Sequence, residues 1–383
     1  MKTVWLIHNN IPPYRVPLFA EIAKRADFDF RVVLTAANCR HRPHWQADAR
    51  TLPFSVLTMK GLNIRVSEAT SVSISFGLLP SLIRHRPDVV ICSGFGLSTL
   101  AVCIYAALWR RPYVVWSEGT PITEGLRKIG SMRQWLRRRL ARRASAFVDA
   151  GTLARDYIRS LLPADSKTPF FRAYNCVDGS LFSAGPMPEC SRQASEVAHR
   201  VLFVGRLNEN KGIPMLLDVY RDLLETETDP VELVLAGEGS LRGSIEEFCR
   251  SHESARVKML GQVPYSDVAT YYRSCSVFVL LSLSDCNPLV IFEALHSGIP
   301  IVCTNRAGNA PDFIRPGENG YVVDPTDKEG IVRCVREVLA WNPEKRRSAA
   351  LVSQRLARVA EYPTSAQAFV NACSSVLRPL PTH

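Results

Sequence analysis

The stretch LSLSDCNPLVIFEALHSGIPIV, residues 281–302, constrains the chain more than any other. It closes an apolar run, 276–281, that reads as a buried strand. Asn287 and Pro288 supply turn chemistry, and Leu289, Val290, Phe292 and Leu295 resume an apolar pattern of helical length. Gly298 stops that helix and Pro300 prevents its continuation. Strand, turn, helix, glycine, strand is one unit of a parallel α/β sheet. Ligands of such sheets bind beyond the carboxyl ends of the strands, where Asp285 stands. Glu293 follows eight positions later, roughly two helical turns away. With Asp285 in the turn and Glu293 on the helix, both carboxylates can face one cleft and grip a neutral polyhydroxyl ligand at two points. The plainer reading is an acid favoured by a helix N-terminus, followed by an ordinary solvated Glu. This stretch alone leaves both open.

At 383 residues the chain exceeds one ordinary core and implies at least two domains. A content of 46% hydrophobic and 22% charged residues is that of a globular protein. Eleven scattered cysteines without a C-x-x-C pair argue against a disulfide framework or a zinc site, and for reduced thiols in a cytoplasm. The start, MKTVWLIHNN, has too short an apolar core for a signal peptide and reads as a first buried strand. Residues 89–109 lack any charge over 21 positions, enough to cross a bilayer. Ser93, Gly94, Gly96, Ser98 and Thr99 interrupt that span, so a strand, a glycine turn and a helix are predicted instead.

In the first half, strands are predicted at 3–8, 30–35, 89–92 and 146–151, with a further one within 111–120. Helices are predicted after Pro17, with Leu18, Phe19 and Ile22 inward, and over 68–84, 97–109 and 152–161. A Gly-, Pro- and Ser-rich linker covers 176–199. The alternation then restarts, with strands at 201–205, 231–237, 257–261 and 321–325. The fold class expected is α/β, with two doubly wound Rossmann-like domains over 1–182 and 183–362 and a closing helical segment over 363–383.

Charge divides the chain unevenly. Residues 1–182 carry 26 Lys+Arg against 12 Asp+Glu, the remainder 21 against 24. Residues 127–143, RKIGSMRQWLRRRLARR, hold eight cations among 17 residues, while Met132, Leu136 and Leu140 share a helical face. One reading is an outer helix packed on the sheet with solvated cations. The other lays Arg133, Arg137, Arg138, Arg139, Arg142 and Arg143 on anionic lipid headgroups, with Trp135 at the interface. No recognition-helix or RNA-platform motif accompanies the charge, so no nucleic-acid partner is expected.

VGRLNENKG (204–212) follows the first strand of the second half. Arg206 and Lys211 flank a turn there and begin a helix, where backbone N–H groups and two cations can hold a diphosphate. The glycine spacing is not that of a P-loop, and no Ser or Thr follows the Lys. LAGEGSLRG (235–243) is a second glycine turn, spaced G-x-G-x-x-x-G rather than as the dinucleotide fingerprint. Together with LGQVPYSDV (260–268), the opening stretch and GENGYVVDP (317–325), these motifs stand in an order with a known counterpart. The set resembles the nucleotide-sugar-binding half of retaining glycosyltransferases of family 4. Those enzymes have the B-type fold, two Rossmann-like domains facing across a cleft. The motif match covers 201–325, and the resemblance in architecture covers the whole chain.

By position, the resemblance implies that Gly205, Arg206, Lys211, Gly237, Val263, Asp285, Asn287, Pro288, Leu289, Val290 and Glu293 bind the donor. Arg206 and Lys211 fall on the diphosphate, Asp285 on hydroxyls of the transferred sugar, Glu293 on the ribose, and the backbone of 288–290 on sugar and phosphate. The family's paired acids are usually two glutamates. Asp285 shortens the reach by one methylene, a change that tunes the choice of donor sugar. Glu118 stands near the place of a catalytic-site His in many members. There it would orient the acceptor hydroxyl or take its proton, or else merely cap its loop. The family's glycine loop after the first strand is replaced by Asn9, Asn10, Pro12, Pro13, Tyr14 and Arg15, of which Pro13, Tyr14 and Arg15 join Glu118 on the acceptor side. His8 reads as a strand-end residue.

Arg206, Lys211, Asp285 and Glu118 are thus the catalytic candidates. No metal and no cofactor is expected, since the two cations and the helix N-termini offset the diphosphate. Asp27-Phe28-Asp29 spells the D-x-D of metal-dependent enzymes but lies far from the nucleotide motifs and reads as solvated turn acids. The resemblance implies a hexosyltransferase-type retaining enzyme that moves a sugar from a nucleoside diphosphate sugar to an acceptor hydroxyl. The basic first half points to a lipid-linked glycan at the inner face of the cytoplasmic membrane, as in surface polysaccharide biosynthesis. A sugar-nucleotide epimerase or hydrolase of the same fold, or an inactive nucleotide-binding membrane scaffold, stays open beside it.

Overall fold

A computed structural model describes residues 1–35, 51–65, 71–125, 130–183 and 199–377. Arg127 and Lys128 of the basic segment, Glu68, and most of the linker lie outside the described residues. The chain divides into two compact units, Met1–Cys176 with Tyr362–His383, and Val177–Glu361.

In the first unit β1 (Thr3–His8) passes through a 3-10 turn, Pro13–Arg15, into α1 (Val16–Arg25). There follow β2 (Asp29–Leu34), β3 (Ser55–Thr58), the antiparallel pair β4 (Gly61–Arg65) and β5 (Ser71–Ser75), α2 (Leu78–His85), β6 (Val89–Ser93) and α3 (Leu97–Trp109). The unit continues with β7 (Tyr113–Ser117), α4 (Pro121–Gly125), α5 (Ser131–Arg143), β8 (Ala146–Asp149), α6 (Thr152–Leu161) and β9 (Phe170–Arg172). Among the described residues the main sheet is parallel and seven-stranded, in the order β3-β2-β1-β6-β7-β8-β9. The order reverses between β1 and β6, which opens a crevice at their carboxyl ends. Both faces of the sheet are covered, so its central strands β1, β6 and β7 are mostly apolar. Trp5, Ile7, Val90, Cys92, Tyr113, Val115 and Phe147 lie in one core with α2, α3, α5 and α6. Val4, Leu6, Val32, Ile91, Val114 and Val148 lie in the other, with α1.

The helix over 68–84 and the places of Arg137 and Met132 differ from expectation in this unit, whereas the split of 89–109 into strand and helix is as predicted. The helix predicted over 68–84 is a strand, β5, followed by the shorter α2: SVSIS alternates and is partly β-branched, and the helix starts only after Gly77. The uncharged span 89–109 is β6 and α3, and among the described residues no helix is long and apolar enough to cross a membrane. On α5, Arg137 is buried. It pairs with Glu124 (2.5 Å) and reaches Tyr157 Oη (2.7 Å), so it is a structural cation and not one that meets a lipid surface. Met132, expected on the packed face, is exposed.

The second unit opens with α7 (Gly179–Ser183), then β10 (His199–Val204), α8 (Ile213–Thr226), β11 (Val231–Ala236), α9 (Arg242–Ser251), β12 (Arg256–Gly261) and α10 (Tyr265–Ser274). It continues through β13 (Val277–Leu280), α11 (Leu289–Ser297), β14 (Ile301–Thr304), α12 (Ala310–Phe313), β15 (Gly320–Val323), α13 (Lys328–Leu339) and α14 (Pro343–Ala357). Among the described residues its sheet is parallel, in the order β12-β11-β10-β13-β14-β15, and reverses between β10 and β13. The chain passes from one unit to the next between Cys176 and Val177 rather than between 182 and 183. Phe182 is the reason: it is fully buried against Tyr265 and Tyr272 of α10. The last helix, α15 (Tyr362–Leu377), belongs to the first unit. Phe369 meets Trp116 edge to face at 5.0 Å, and Ala366, Val370 and Cys373 fill the core shared with α1.

Candidate active site

Each unit gathers polar side chains at its own switch point. In the second unit the chain leaves β10 at Gly205 and turns through Arg206, Asn208 and a 3-10 turn, Glu209–Lys211, into α8. Asn208 Oδ1 accepts the Lys211 N–H (3.1 Å) and so caps the turn. Gly212 has φ +75, and a Cβ there would lie 2.0 Å from the Leu281 carbonyl oxygen. Only glycine lets this turn abut the exit of β13. Asn210 then joins the two loops: its Nδ2 donates to the Ser284 carbonyl (2.8 Å), and its own carbonyl accepts from Leu283 N–H (2.9 Å). The result is an ion pair between Lys211 Nζ and Asp285 Oδ2, both side chains mostly buried. Arg206, on the same turn, is exposed and has no ion-pair partner among the described residues.

Asp285 is held from its other side by the loop after β14. Its N–H donates to the Arg306 carbonyl (3.2 Å) and its carbonyl accepts from Gly308 N–H (2.8 Å). Asn309 Nδ2 donates to the Pro288 carbonyl (3.0 Å), which fixes the start of α11. Asn287 and Pro288 are buried, and Leu289 and Val290 half-buried, at that start. Gly237 ends β11 with φ +145, and a Cβ there would lie 1.9 Å from the Gly205 carbonyl oxygen, so the exits of β10 and β11 stack closely. Val263 is half-buried just beyond β12.

Glu293 is placed differently from Asp285. It lies within α11, is 6% exposed, and accepts a hydrogen bond from Tyr272 Oη at 2.9 Å. Burial pushes its carboxyl up to about 7, against the Tyr272 hydrogen bond that favours the charged form.

In the first unit a cavity of about 300 Å³ lies at the β1/β6 switch point, lined by His8, Asn9, Asn10, Pro12, Tyr14, Arg15, Ser93, Trp116 and Glu118. Arg15 is its centre. Its guanidinium is buried, stacks on the Trp116 ring at 4.2 Å, donates to His8 Nε2 at 2.7 Å and pairs with Glu118 Oε1. Burial opposes the Arg15 charge, but Glu118 and Tyr14 outweigh it and its pKa is raised. Burial and then the Arg15 charge hold His8 well below the ordinary range. Arginine can only donate, so the Nε2 lone pair of His8 is engaged by Arg15, while Nδ1 faces the Asn10 backbone N–H at 3.3 Å. His8 therefore orients Arg15 and is no base at that nitrogen. Tyr14, Arg15 and Glu118 thus share one cavity, whereas Pro13 is exposed and Pro12 lines it instead.

Sequence reasoning missed Tyr272, Asn309 and the Arg15–Trp116 stack. Tyr272 sits in an unremarkable helix and Asn309 in a loop with no motif. The Trp116–Glu118 spacing at the exit of β7 was a usable signal, since alternate residues of an extended chain share a face. Asp27 and Asp29 are not a site: Phe28 is buried between them and Asp29 opens β2, paired with Arg31. Among the described residues no group of three or more His, Cys, Asp or Glu could hold a metal ion.

Two doubly wound units, each with its polar cluster at the switch point, define an α/β protein of two Rossmann-like domains. Two family models match, one in each half: "Glycosyl transferase 4-like domain" over residues 14–168 and "Glycosyl transferases group 1" over 192–350. The chain is a family-4-like glycosyltransferase of the B-type fold. Among curated relatives, 2-deoxystreptamine N-acetyl-D-glucosaminyltransferase of Niallia circulans is 29% identical over 147 residues, covering 38% of this chain and 37% of that protein. The lipopolysaccharide core biosynthesis glycosyltransferase LpsE of Rhizobium meliloti is 32% identical over 151 residues, covering 39% and 42%. The chain thus spans about two fifths of the length of such relatives. HepE of Anabaena, solved with UDP and glucose, matches with a TM-score of 0.71 and 18% identity over 98% of this chain and 100% of that one.

Proposed function

We propose that the chain is a retaining glycosyltransferase that moves a sugar from a nucleoside diphosphate sugar to the hydroxyl of a lipid-linked glycan, without a metal ion, as a peripheral protein on the inner face of the cytoplasmic membrane. The observation that carries this reading is the pair of stitched loops at the β10/β13 switch point, with Arg206 exposed and Lys211 held by Asp285. When the bond between sugar and diphosphate breaks, negative charge gathers on the leaving phosphate oxygen. Two cations and the N–H groups at the starts of α8 and α11 oppose that charge more strongly in the transition state than before it. Asp285 accepts from sugar hydroxyls as Lys211 turns to the phosphate. The acceptor oxygen forms its bond on the face that the diphosphate leaves, and its proton goes to the departing phosphate oxygen. The configuration is therefore retained.

The cavity around Arg15 and Glu118 is the acceptor side of this reading. The name of LpsE supports a glycan acceptor of the lipopolysaccharide type, and the ligands of HepE make uridine nucleotide sugars the first to try. The test is nucleotide release from UDP-, GDP- and ADP-sugars, with and without membrane lipid extract. Release from one donor that rises strongly with extract, together with a glycosylated lipid, is the expected result. Release that ignores extract would indicate a hydrolase or a soluble acceptor, and tight nucleotide binding without release a scaffold.

A further inference from the structure

Unit 1 has two helical layers, and they differ in what they show to the outside. Among the described residues, every exposed large hydrophobic side chain of this unit apart from Met1 belongs to one layer: Phe76 and Ile83 at α2, Leu97, Ile104 and Leu108 on α3, Met132 and Trp135 on α5. The opposite layer, α1 with α15, shows none. On α3 the exposed residues fall at intervals of seven and four, one face of a helix, and are 47%, 42% and 67% exposed. Val102, Cys103 and Tyr105 of the same helix are buried in the core. A helix that is apolar all round is normally buried on all sides, yet α3 is covered only where it meets the sheet and its neighbours.

Charge narrows what can cover it. The sequences of α2, α3 and α5 contain no Asp or Glu. Arg84 and Arg86 flank the apolar stripe at one end of α2, Arg110 ends α3, and Arg133, Arg138, Arg139, Arg142 and Arg143 are exposed on α5. Arg139 lies over the Trp135 ring at 5.6 Å, an aromatic with its cation beside it. A second copy of the chain seated on this face would bring two sets of arginines together without a counter-charge. A bilayer with anionic headgroups supplies both what the stripe and what the arginines lack.

We propose that the α2–α3–α5 layer is a membrane-insertion face: the α3 stripe, with Phe76 and Trp135, enters the headgroup–acyl boundary of an anionic leaflet, and the surrounding arginines hold its phosphates. The proposal extends the peripheral reading from charge on one helix to an apolar wedge on another, and it does not depend on which sugar is moved. It stands on side chains outside the donor loops and the Arg15 cavity, so binding to lipid and turnover of donor can be measured separately.

The experiment is flotation of the whole chain with vesicles of phosphatidylcholine containing phosphatidylglycerol, against pure phosphatidylcholine. The chain is compared with Ile104→Gln/Leu108→Gln, Arg138→Gln/Arg139→Gln/Arg142→Gln, and Leu351→Gln as a control on an exposed apolar residue of the second unit. The first pair stays helical and should weaken binding about tenfold or more, with circular dichroism and nucleotide release from free donor unchanged. The arginine variant should lose the preference for phosphatidylglycerol, and the control should bind as the parent does. Unchanged flotation of the Ile104/Leu108 pair overturns the proposal. So does a dimer in solution that this pair dissociates, since the face would then belong to a second copy. Loss of vesicle binding by the parent with donor turnover intact sinks the insertion face alone; vesicle binding with no turnover sinks only the transferase reading.

Discussion

Lys211, on the turn after β10, and Asp285, on the loop after β13, form an ion pair that bridges the point where the strand order of the second unit reverses. The cation proposed to meet the donor diphosphate is thus engaged by a carboxylate of the same unit. Replacing Asp285 by Asn frees Lys211, so UDP should bind at least as tightly as before while sugar transfer falls, because the hydroxyl acceptor is lost. Lys211→Ala should lower kcat/KM about a hundredfold, near 3 kcal/mol, if the cation acts mainly on the leaving group. Calorimetry with UDP and steady-state turnover separate the two effects. Turnover of Lys211→Ala close to that of the parent would remove Lys211 from the mechanism.

Charge neutralisation by Arg206, Lys211 and helix starts predicts that chelation leaves turnover untouched. Nucleotide release in excess EDTA should match release with added magnesium or manganese. A metal requirement would show that the diphosphate needs a counter-ion that these side chains do not supply.

What was legible in the sequence followed from periodicity. Runs such as VELVLAG, buried on both faces and ended by a glycine, fixed the second unit's strands, and the loops that follow them carry Arg206, Lys211 and Asp285. Helix 68–84 was misread because five residues of alternating SVSIS preceded the real helix start at Leu78. Pairings were illegible for a different reason. Arg137 and Arg138 are adjacent and chemically alike, yet only the former turns inward, toward Glu124, and nothing local distinguishes them. The hydrogen bond between Tyr272 and Glu293 was illegible as well, because the two residues lie 21 positions apart on different helices.

The Arg15–Glu118 pair should behave as one unit. Glu118→Gln removes the charge that balances a buried guanidinium, which keeps His8, Tyr14 and Trp116 as partners, and should cost about 3 kcal/mol of stability. Arg15→Met/Glu118→Gln should cost less than the sum of its singles, which urea unfolding of the four proteins would reveal as a coupling term. If the cavity serves the acceptor, the double variant should still release nucleotide slowly from free donor yet lose the stimulation by lipid acceptor. Additive losses would mean that the pair is not coupled, and preserved stimulation that the acceptor binds elsewhere.

Glu293 offers a test that depends on pH rather than on substrate. Its carboxyl is raised from an ordinary 4.5 to about 7 in the folded chain. Between those values the folded chain keeps a proton that the unfolded chain has released, so rising pH favours unfolding. The stabilisation is complete below 4.5, is lost as pH climbs toward 7 and is constant above, a change of about 3 kcal/mol. Glu293→Gln is neutral throughout and lacks this slope, so the parent should lose about that much stability relative to the variant between the two ends of the window. Tyr272→Phe removes the one hydrogen bond that favours the carboxylate and should move the upper end of the window to higher pH. Urea unfolding of the three proteins from acid to mildly alkaline pH measures all of this. Parallel curves for parent and Glu293→Gln would show that Glu293 is charged in the folded chain at neutral pH, and that the site around α11 admits more water than its burial implies.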